Sequence, residues 1–154
     1  MEKNMTFKEK YFYYESNFIH WLKPKSEKLL FLSYGIIYIW YGFLKVIGIS
    51  SAETLVLRAT DWIFTHEFVV VLGFWEVLLG FFLLIPSMKR IGLLLLFLQF
   101  PGTFMPLITN PEDCFTSFPF GLTLEGQYIF KNLILIAGGL VLVSSLHIKK
   151  SRHK

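Results

Sequence analysis

A single carboxylate, Glu76, lies near the middle of the apolar run Phe68–Pro86. A charge at the centre of a membrane-spanning helix costs roughly 2.5–3.5 kcal/mol on insertion scales, and it marks a functional site by default. Two lysines, Lys45 and Lys131, stand in other apolar runs, and either can reach Glu76 as a buried counter-ion. We rank Lys131 first and Lys45 second, because Lys131 is expected to lie several ångströms inside its helix, on the same side as Glu76.

Further polar groups are expected to join these charges at the interior of a helical bundle. Gln99 and Asn132 are the expected hydrogen-bond partners, and the full candidate binding cluster is Lys45, Glu76, Gln99, Lys131, Asn132 and Tyr41. Two lysines against one glutamate leave a surplus positive charge, which suits an anionic ligand or a quinone carbonyl. The alternative is that the buried charges only specify helix packing and bind nothing.

Glycines recur on the same predicted helix faces as these polar groups. Small residues let membrane helices approach closely, so we expect packing roles for Gly42, Gly73, Gly80 and Gly138. In the last apolar run this face is predicted to carry Gln127, Lys131, Gly138 and Ser145. The shared face is therefore expected to be the interior.

The composition indicates the elements that must position these groups. Of 154 residues, 54% are hydrophobic and 17% charged, with a mean hydropathy of +0.53. Soluble domains average about 45–50% apolar and about 25% charged residues. The excess is concentrated in long runs, which predicts an all-α, polytopic membrane protein: one antiparallel four-helix transmembrane domain over 29–146, with spans at about 29–47, 68–85, 91–108 and 128–146.

The N-terminal segment, residues 1–28, alternates charged and aromatic residues. Phe7, Tyr11, Tyr14 and Phe18 recur at helical spacing, which predicts an amphipathic helix lying in the membrane interface and ending at Pro24. A loosely ordered tail is the alternative.

The connections between the spans differ in charge. The N-terminal segment, the turn at Lys89 and Arg90, and the tail 147–154 are basic, whereas the other two loops carry mainly acids. This bias predicts that both termini and the basic tail are cytoplasmic. Ser50 and Glu53 form a capping box that predicts a short surface helix, and Thr109–Gly126 is predicted to be a loop.

The sequence gives little support for a nucleic-acid, disulfide or metal site. The formal charge of +4 favours anionic lipid headgroups on the cytoplasmic side over nucleic acid, because no nucleic-acid-binding motif accompanies the basic residues. One cysteine excludes an intramolecular disulfide and a cysteine-based metal cluster, and no metal site is predicted. Cys114 is expected to be a bystander or, alternatively, an exposed thiol that senses oxidants. No cofactor motif is evident in the sequence, and a quinone is the one cofactor that the polar cluster would suit.

Four stretches of the chain are similar to a known family. WYGFLKV (Trp40–Val46), GFWEVLLG (Gly73–Gly80), PGTFMPLITNPEDCF (Pro101–Phe115) and LEGQYIFKNLILIAGG (Leu124–Gly139) resemble the DoxX-like superfamily of four-helix membrane proteins. Within it they look most like the branch containing the reactive-chlorine-resistance inner-membrane protein. The matching positions are Gly42, Lys45, Glu76, Gly80, Pro106, Lys131 and Asn132.

The resemblance implies a multi-pass protein of the bacterial inner membrane that acts in oxidative-stress or redox homeostasis. Relatives of thiosulfate:quinone oxidoreductase belong to the superfamily, so any catalytic role here would be that of a membrane subunit in a quinone-linked oxidoreductase, with a protein partner or a second copy. The loop 50–67 is shorter than in the chlorine-resistance branch, so a function that needs a larger outer domain is not expected here. The alternatives are a non-catalytic accessory or scaffold subunit and a small transporter, for which the spans offer only a thin polar route.

Overall fold

The computed structural model describes residues 6–50, 57–58 and 66–146. The helices are α1 (Phe7–Val46), α2 (His66–Leu84), α3 (Lys89–Phe104), α4 (Pro106–Thr109), α5 (Pro111–Cys114) and α6 (Leu124–Ser145). A two-stranded antiparallel hairpin of β1 (Phe115–Ser117) and β2 (Gly121–Leu122) lies between α5 and α6. The predicted surface helix after Ser50 and the tail 147–154 fall largely or wholly outside the described residues.

Within the described ranges, four helical stretches are long and apolar enough to cross a membrane: α1, α2, α3 together with α4, and α6. The 22 residues of α6 extend about 33 Å at 1.5 Å per residue, close to the thickness of a hydrocarbon core. The prediction of an all-α chain with four helices suited to spanning a membrane is confirmed. The described hairpin adds only a small strand content.

The first two long helices pack closely and run in opposite directions. Gly42 of α1 lies against Gly73 of α2, and Gly35 lies against Gly80. Since the residue number rises on one helix as it falls on the other, the pair is antiparallel. A Cβ placed on Gly42 would be 2.6 Å from the carbonyl oxygen of Gly73, so only glycine allows this approach.

The other long helices complete the packing around a leucine-rich core. Gly92 of α3 packs on Leu83 of α2, and Gly139 of α6 packs on Leu96 of α3. The Tyr34 hydroxyl of α1 donates a hydrogen bond to a carbonyl oxygen of α6. The buried core comprises Phe31, Tyr34, Tyr38, Leu79, Leu83, Leu93, Leu96, Phe100 and Leu142.

The structure corrects the prediction that Pro24 ends the N-terminal helix. Instead, α1 continues through Pro24 as one helix of 40 residues. A proline inside a helix removes the bond to the carbonyl four residues earlier. That carbonyl belongs to His20, which is exposed and can bind water instead. Whether the N-terminal half of α1 lies in the membrane interface stays a prediction.

The stretch predicted as the loop Thr109–Gly126 is largely ordered into short elements. Pro106 and Pro111 begin α4 and α5, where a proline costs no intrahelical hydrogen bond. Thr123 caps α6 by accepting a hydrogen bond from the Gly126 N–H, while its hydroxyl donates to the Asp113 carbonyl. The helix is therefore tied to the loop that precedes it.

Candidate functional site

Glu76 forms a buried ion pair with Lys45. The ammonium nitrogen of Lys45, in the last turn of α1, lies 2.5 Å from Glu76 Oε2. Both residues are buried, at 6% and 5% exposure. Gly73 lies one turn before Glu76 and a Cβ there would stand 2.9 Å from that of Lys45, so the glycine makes room for the lysine stem.

Gln99 of α3 engages the other oxygen of the same carboxylate. Its Nε2 donates a hydrogen bond of 2.6 Å to Glu76 Oε1. Lys45, Glu76 and Gln99 therefore form a chain of contacts across three helices, which we call the triad. Both carboxylate oxygens are engaged, and the charges of Lys45 and Glu76 cancel.

The side-chain carbonyl oxygen of Gln99, Oε1, is buried without a hydrogen-bond partner. No other buried side-chain nitrogen or oxygen of the described residues lacks one. The amide orientation follows from its neighbour, because a carboxylate accepts and Nε2 is the donating end. Turning the amide over would set two acceptors against each other. The nearby Thr103 hydroxyl donates to the Gln99 backbone carbonyl at 3.3 Å, so it does not satisfy Oε1.

The triad can therefore donate and accept at the same site. A lysine ammonium has three N–H groups, and Glu76 accepts one from Lys45 in the described contacts. Gln99 Oε1 supplies an acceptor that needs a donor. A hydroxyl group, which both accepts and donates, matches this pair of needs.

Three predicted members of the cluster lie elsewhere. Lys131, ranked first as the counter-ion, is exposed, with its nitrogen 4.8 Å from the centroid of the Tyr128 ring. Asn132 donates to the carbonyls of Tyr128 and Ile129 on its own helix. Tyr41 is 56% exposed. The structure thus corrects the choice of counter-ion in favour of Lys45, and the surplus positive charge expected at Glu76 is not present there.

The rotation of α6 explains where Lys131 lies. This helix buries Gly126, Ile129, Gly139 and Leu142. The face of α6 that meets the other helices is therefore not the predicted polar face. Gln127 and Lys131 are left exposed. Gly138 still faces the interior, against the Tyr34 ring.

Cys114 is fully buried, which corrects the alternative of an exposed oxidant-sensing thiol. Burial raises the pKa of the thiol above its usual value, and the nearby carboxylates Asp113, Glu125 and Glu112 raise it further. A buried thiol of raised pKa carries little thiolate at neutral pH and reacts slowly. The sequence did not predict this burial, because it depends on the packing of the Cys114 backbone against Gly126 of α6.

A metal centre finds no support in the part of the chain that the structure describes. No group of three or more His, Cys, Asp or Glu residues is placed there to hold a metal ion. The triad has one carboxylate, and that carboxylate is already engaged on both oxygens.

The chain matches no protein-family model, no curated protein and no solved structure in the comparisons made with each. The resemblance to the DoxX-like superfamily therefore rests on the quoted motifs alone and stays a prediction.

Proposed function

We propose that this chain is a DoxX-like multi-pass protein of the bacterial inner membrane whose triad binds the polar head of a small hydrophobic molecule. The proposed ligand class is a quinone in its reduced, quinol form, and the proposed setting is redox or oxidative-stress homeostasis. The observation that carries this proposal is the unpartnered Gln99 Oε1 beside the Lys45–Glu76 pair.

The preference for a quinol follows from the kind of atom left unsatisfied. A buried carbonyl without a donor costs about 1–3 kcal/mol, which a ligand O–H recovers and a ligand carbonyl does not. Lys45 retains N–H groups for the oxygen of the same hydroxyl. Tyr38 and Phe100 of the buried core offer the kind of apolar surface that suits the ring of such a ligand.

The proposed topology is an antiparallel four-helix transmembrane bundle with both termini cytoplasmic. The Arg58 guanidinium lies 2.9 Å from the Asp113 carboxylate, so these two residues, one from each acidic loop, lie at the same end of the bundle. Lys89 lies over the Phe31 ring, where α1 leaves the bundle, so the basic turn and the N-terminal half of α1 share the other end. This arrangement supports a cytoplasmic position for the basic end.

A second candidate is a non-catalytic accessory subunit in which the triad only specifies helix packing. The closed ion pair with balanced charge favours it, since buried pairs can set helix register without binding anything. This candidate expects the double variant Lys45→Met/Glu76→Leu to keep both its fold and the cellular role of the protein.

Quinol binding by the purified protein in lipid nanodiscs separates the two candidates. Gln99→Leu removes the acceptor and leaves the Lys45–Glu76 pair in place, so we expect quinol affinity to fall about tenfold, the value of one hydrogen bond. Thr103→Val is the matched control one turn further along α3, and it should bind as the wild type does.

Equal quinol affinity in wild-type protein and a well-folded Gln99→Leu variant would refute the ligand role and leave the packing role. Loss of the cellular role in a folded Lys45→Met/Glu76→Leu variant would refute the packing role.

A further inference from the structure

The N-terminal half of α1 extends beyond the rest of the molecule. Every residue from Thr6 to Ser26 is exposed, and the first buried residue of α1 is Phe31. A helix of 40 residues is about 60 Å long, twice the thickness of a hydrocarbon core of about 30 Å. The protruding half therefore needs another explanation than spanning the membrane.

Aromatic residues form a regular seam along this protruding half. Phe7, Tyr11, Tyr14, Phe18 and Trp21 follow one another at intervals of four, three, four and three, and all five are exposed. This spacing is the 3.5-residue repeat of positions a and d in a coiled coil. The seam covers two heptads, with Tyr11 and Phe18 at a and the other three residues at d.

The flanks of the seam carry opposite charges at matching positions. A groove along this face is lined by Phe7, Lys10, Tyr11, Tyr14, Glu15 and Phe18. In the heptad assignment Lys10 takes position g and Glu15 takes position e of the following heptad. In a parallel coiled coil a g residue meets the e residue five positions later on the other helix. Lys10 would thus face the partner's Glu15, and the reverse contact follows from symmetry.

We propose that the exposed seam of α1 is a dimer interface that pairs with the same seam of a second copy as a parallel coiled coil. Two copies related by a two-fold axis along the membrane normal bring their protruding helices side by side in the same direction. The inference stands apart from the proposed ligand site, because no triad residue takes part in it.

The end of the seam agrees with this arrangement. The next two seam positions are Lys25 and Lys28, whose like charges would repel across a pair. The ammonium of Lys25 is turned back over the Trp21 ring, 3.4 Å from its centroid. Beyond this point α1 packs on α2, so the paired segment ends where the helix enters its own bundle.

The competing occupant of this face is the membrane surface. A segment lying on the bilayer must turn away from the axis of the spanning half, yet α1 runs through Pro24 as one helix. The unbroken helix and the opposite charges of Lys10 and Glu15 beside the seam favour the second copy.

Disulfide crosslinking in intact membranes tests the proposal in the full chain. Cys114→Ser removes the single cysteine, and Tyr14→Cys is then introduced at a d position, with Glu9→Cys at the outward f position as the matched control. Oxidation should link Tyr14→Cys chains into dimers at least about tenfold faster than Glu9→Cys chains, because d positions face each other across the axis. Equal rates, or a Tyr14→Cys thiol that remains monomeric and protected by lipid, would overturn the proposal.

Charge exchange tests the register. Lys10→Glu or Glu15→Lys alone should weaken the dimer about tenfold, since two symmetry-related pairs change from attraction to repulsion. The double exchange should restore the wild-type dimer affinity, measured by energy transfer between labelled copies in nanodiscs. Failure of the double exchange to restore it contradicts the register. So would a membrane-surface result, in which Lys10→Glu weakens and Glu15→Lys strengthens attachment to anionic vesicles.

Discussion

Lys45 and Lys131 both lie in long apolar helices, but their surroundings differ. Lys45 is buried in the contact of α1 with α2, where Gly42 and Gly73 bring two backbones together. Lys131 is exposed on α6, where the buried share of an 18-residue apolar stretch is 17%, against 33% on α2. In this chain, the lysine that joins the site is the one at which glycines let a second helix pack closely. Elsewhere a lysine can extend along the helix surface toward the interface.

The largest expected effect comes from breaking the buried pair on one side. Glu76→Leu should lower the free energy of unfolding by about 3–5 kcal/mol, because Lys45 is left as an uncompensated buried charge. Lys131→Leu, the matched change on the exposed lysine, should alter it by about 0.5 kcal/mol or less. Unfolding of the purified protein in mixed micelles measures both values. A loss in Lys131→Leu as large as that in Glu76→Leu would remove the contrast between the two lysines.

An intermediate effect is expected from filling the space that lets Lys45 be buried. Gly73→Ala places a Cβ 2.7 Å from the Gly42 carbonyl oxygen, and backbone cannot move aside as a flexible side chain can. We expect a loss of about 1–3 kcal/mol in the same unfolding measurement.

Gly102 of α3 provides the control for that change, because a Cβ there meets nothing within 4 Å. Gly102→Ala should leave stability unchanged or raise it by up to about 1 kcal/mol through helix propensity. Equal losses in the two variants would mean that the close approach of α1 and α2 does not hold the site together.

The smallest expected effect is on the reactivity of Cys114. It tests the same contrast, buried against exposed, in the segment before α6. Cys114 is buried with a raised pKa, so a maleimide should label it slowly at pH 7 in the native protein and rapidly in denaturant. Because the raised pKa keeps the group protonated, the native rate should climb as pH increases. Ser117→Cys in a Cys114→Ser background is the exposed control, three residues further on in β1. Labelling of native Cys114 as fast as this control would contradict its burial.

Much of the fold was predictable, and the errors share a cause. Apolar runs of about 18 residues leave few alternatives to spanning helices, so the four were found from composition and length. Pro24 was misjudged because a helix breaker is tolerated where the freed carbonyl is exposed to water. The segment before α6 was predicted as a loop, and its short ordered elements were not foreseen. Their order depends on contacts such as the hydrogen bond from the Thr123 hydroxyl to the Asp113 carbonyl, which no periodicity reveals.

The candidate site was predicted in part for a related reason. Glu76, Lys45 and Gln99 were named from the sequence, and the structure joins them. Lys131 and Asn132 were named on the same grounds, yet Lys131 is exposed and Asn132 donates to carbonyls of its own helix. Helical spacing groups residues on a face, but it does not say which way that face is turned within the bundle.

The sequence by itself determined that this chain has four helices suited to a membrane, and that one carboxylate among them needs a counter-ion. Those conclusions follow from local properties, namely hydropathy, length and the cost of burying a charge. Only the tertiary structure determined that the counter-ion is Lys45, that Gln99 keeps an unpartnered acceptor, and that the aromatic seam of α1 is exposed. The rotation and close approach of helices arise from the packing of all side chains together, and no short stretch of sequence contains that information.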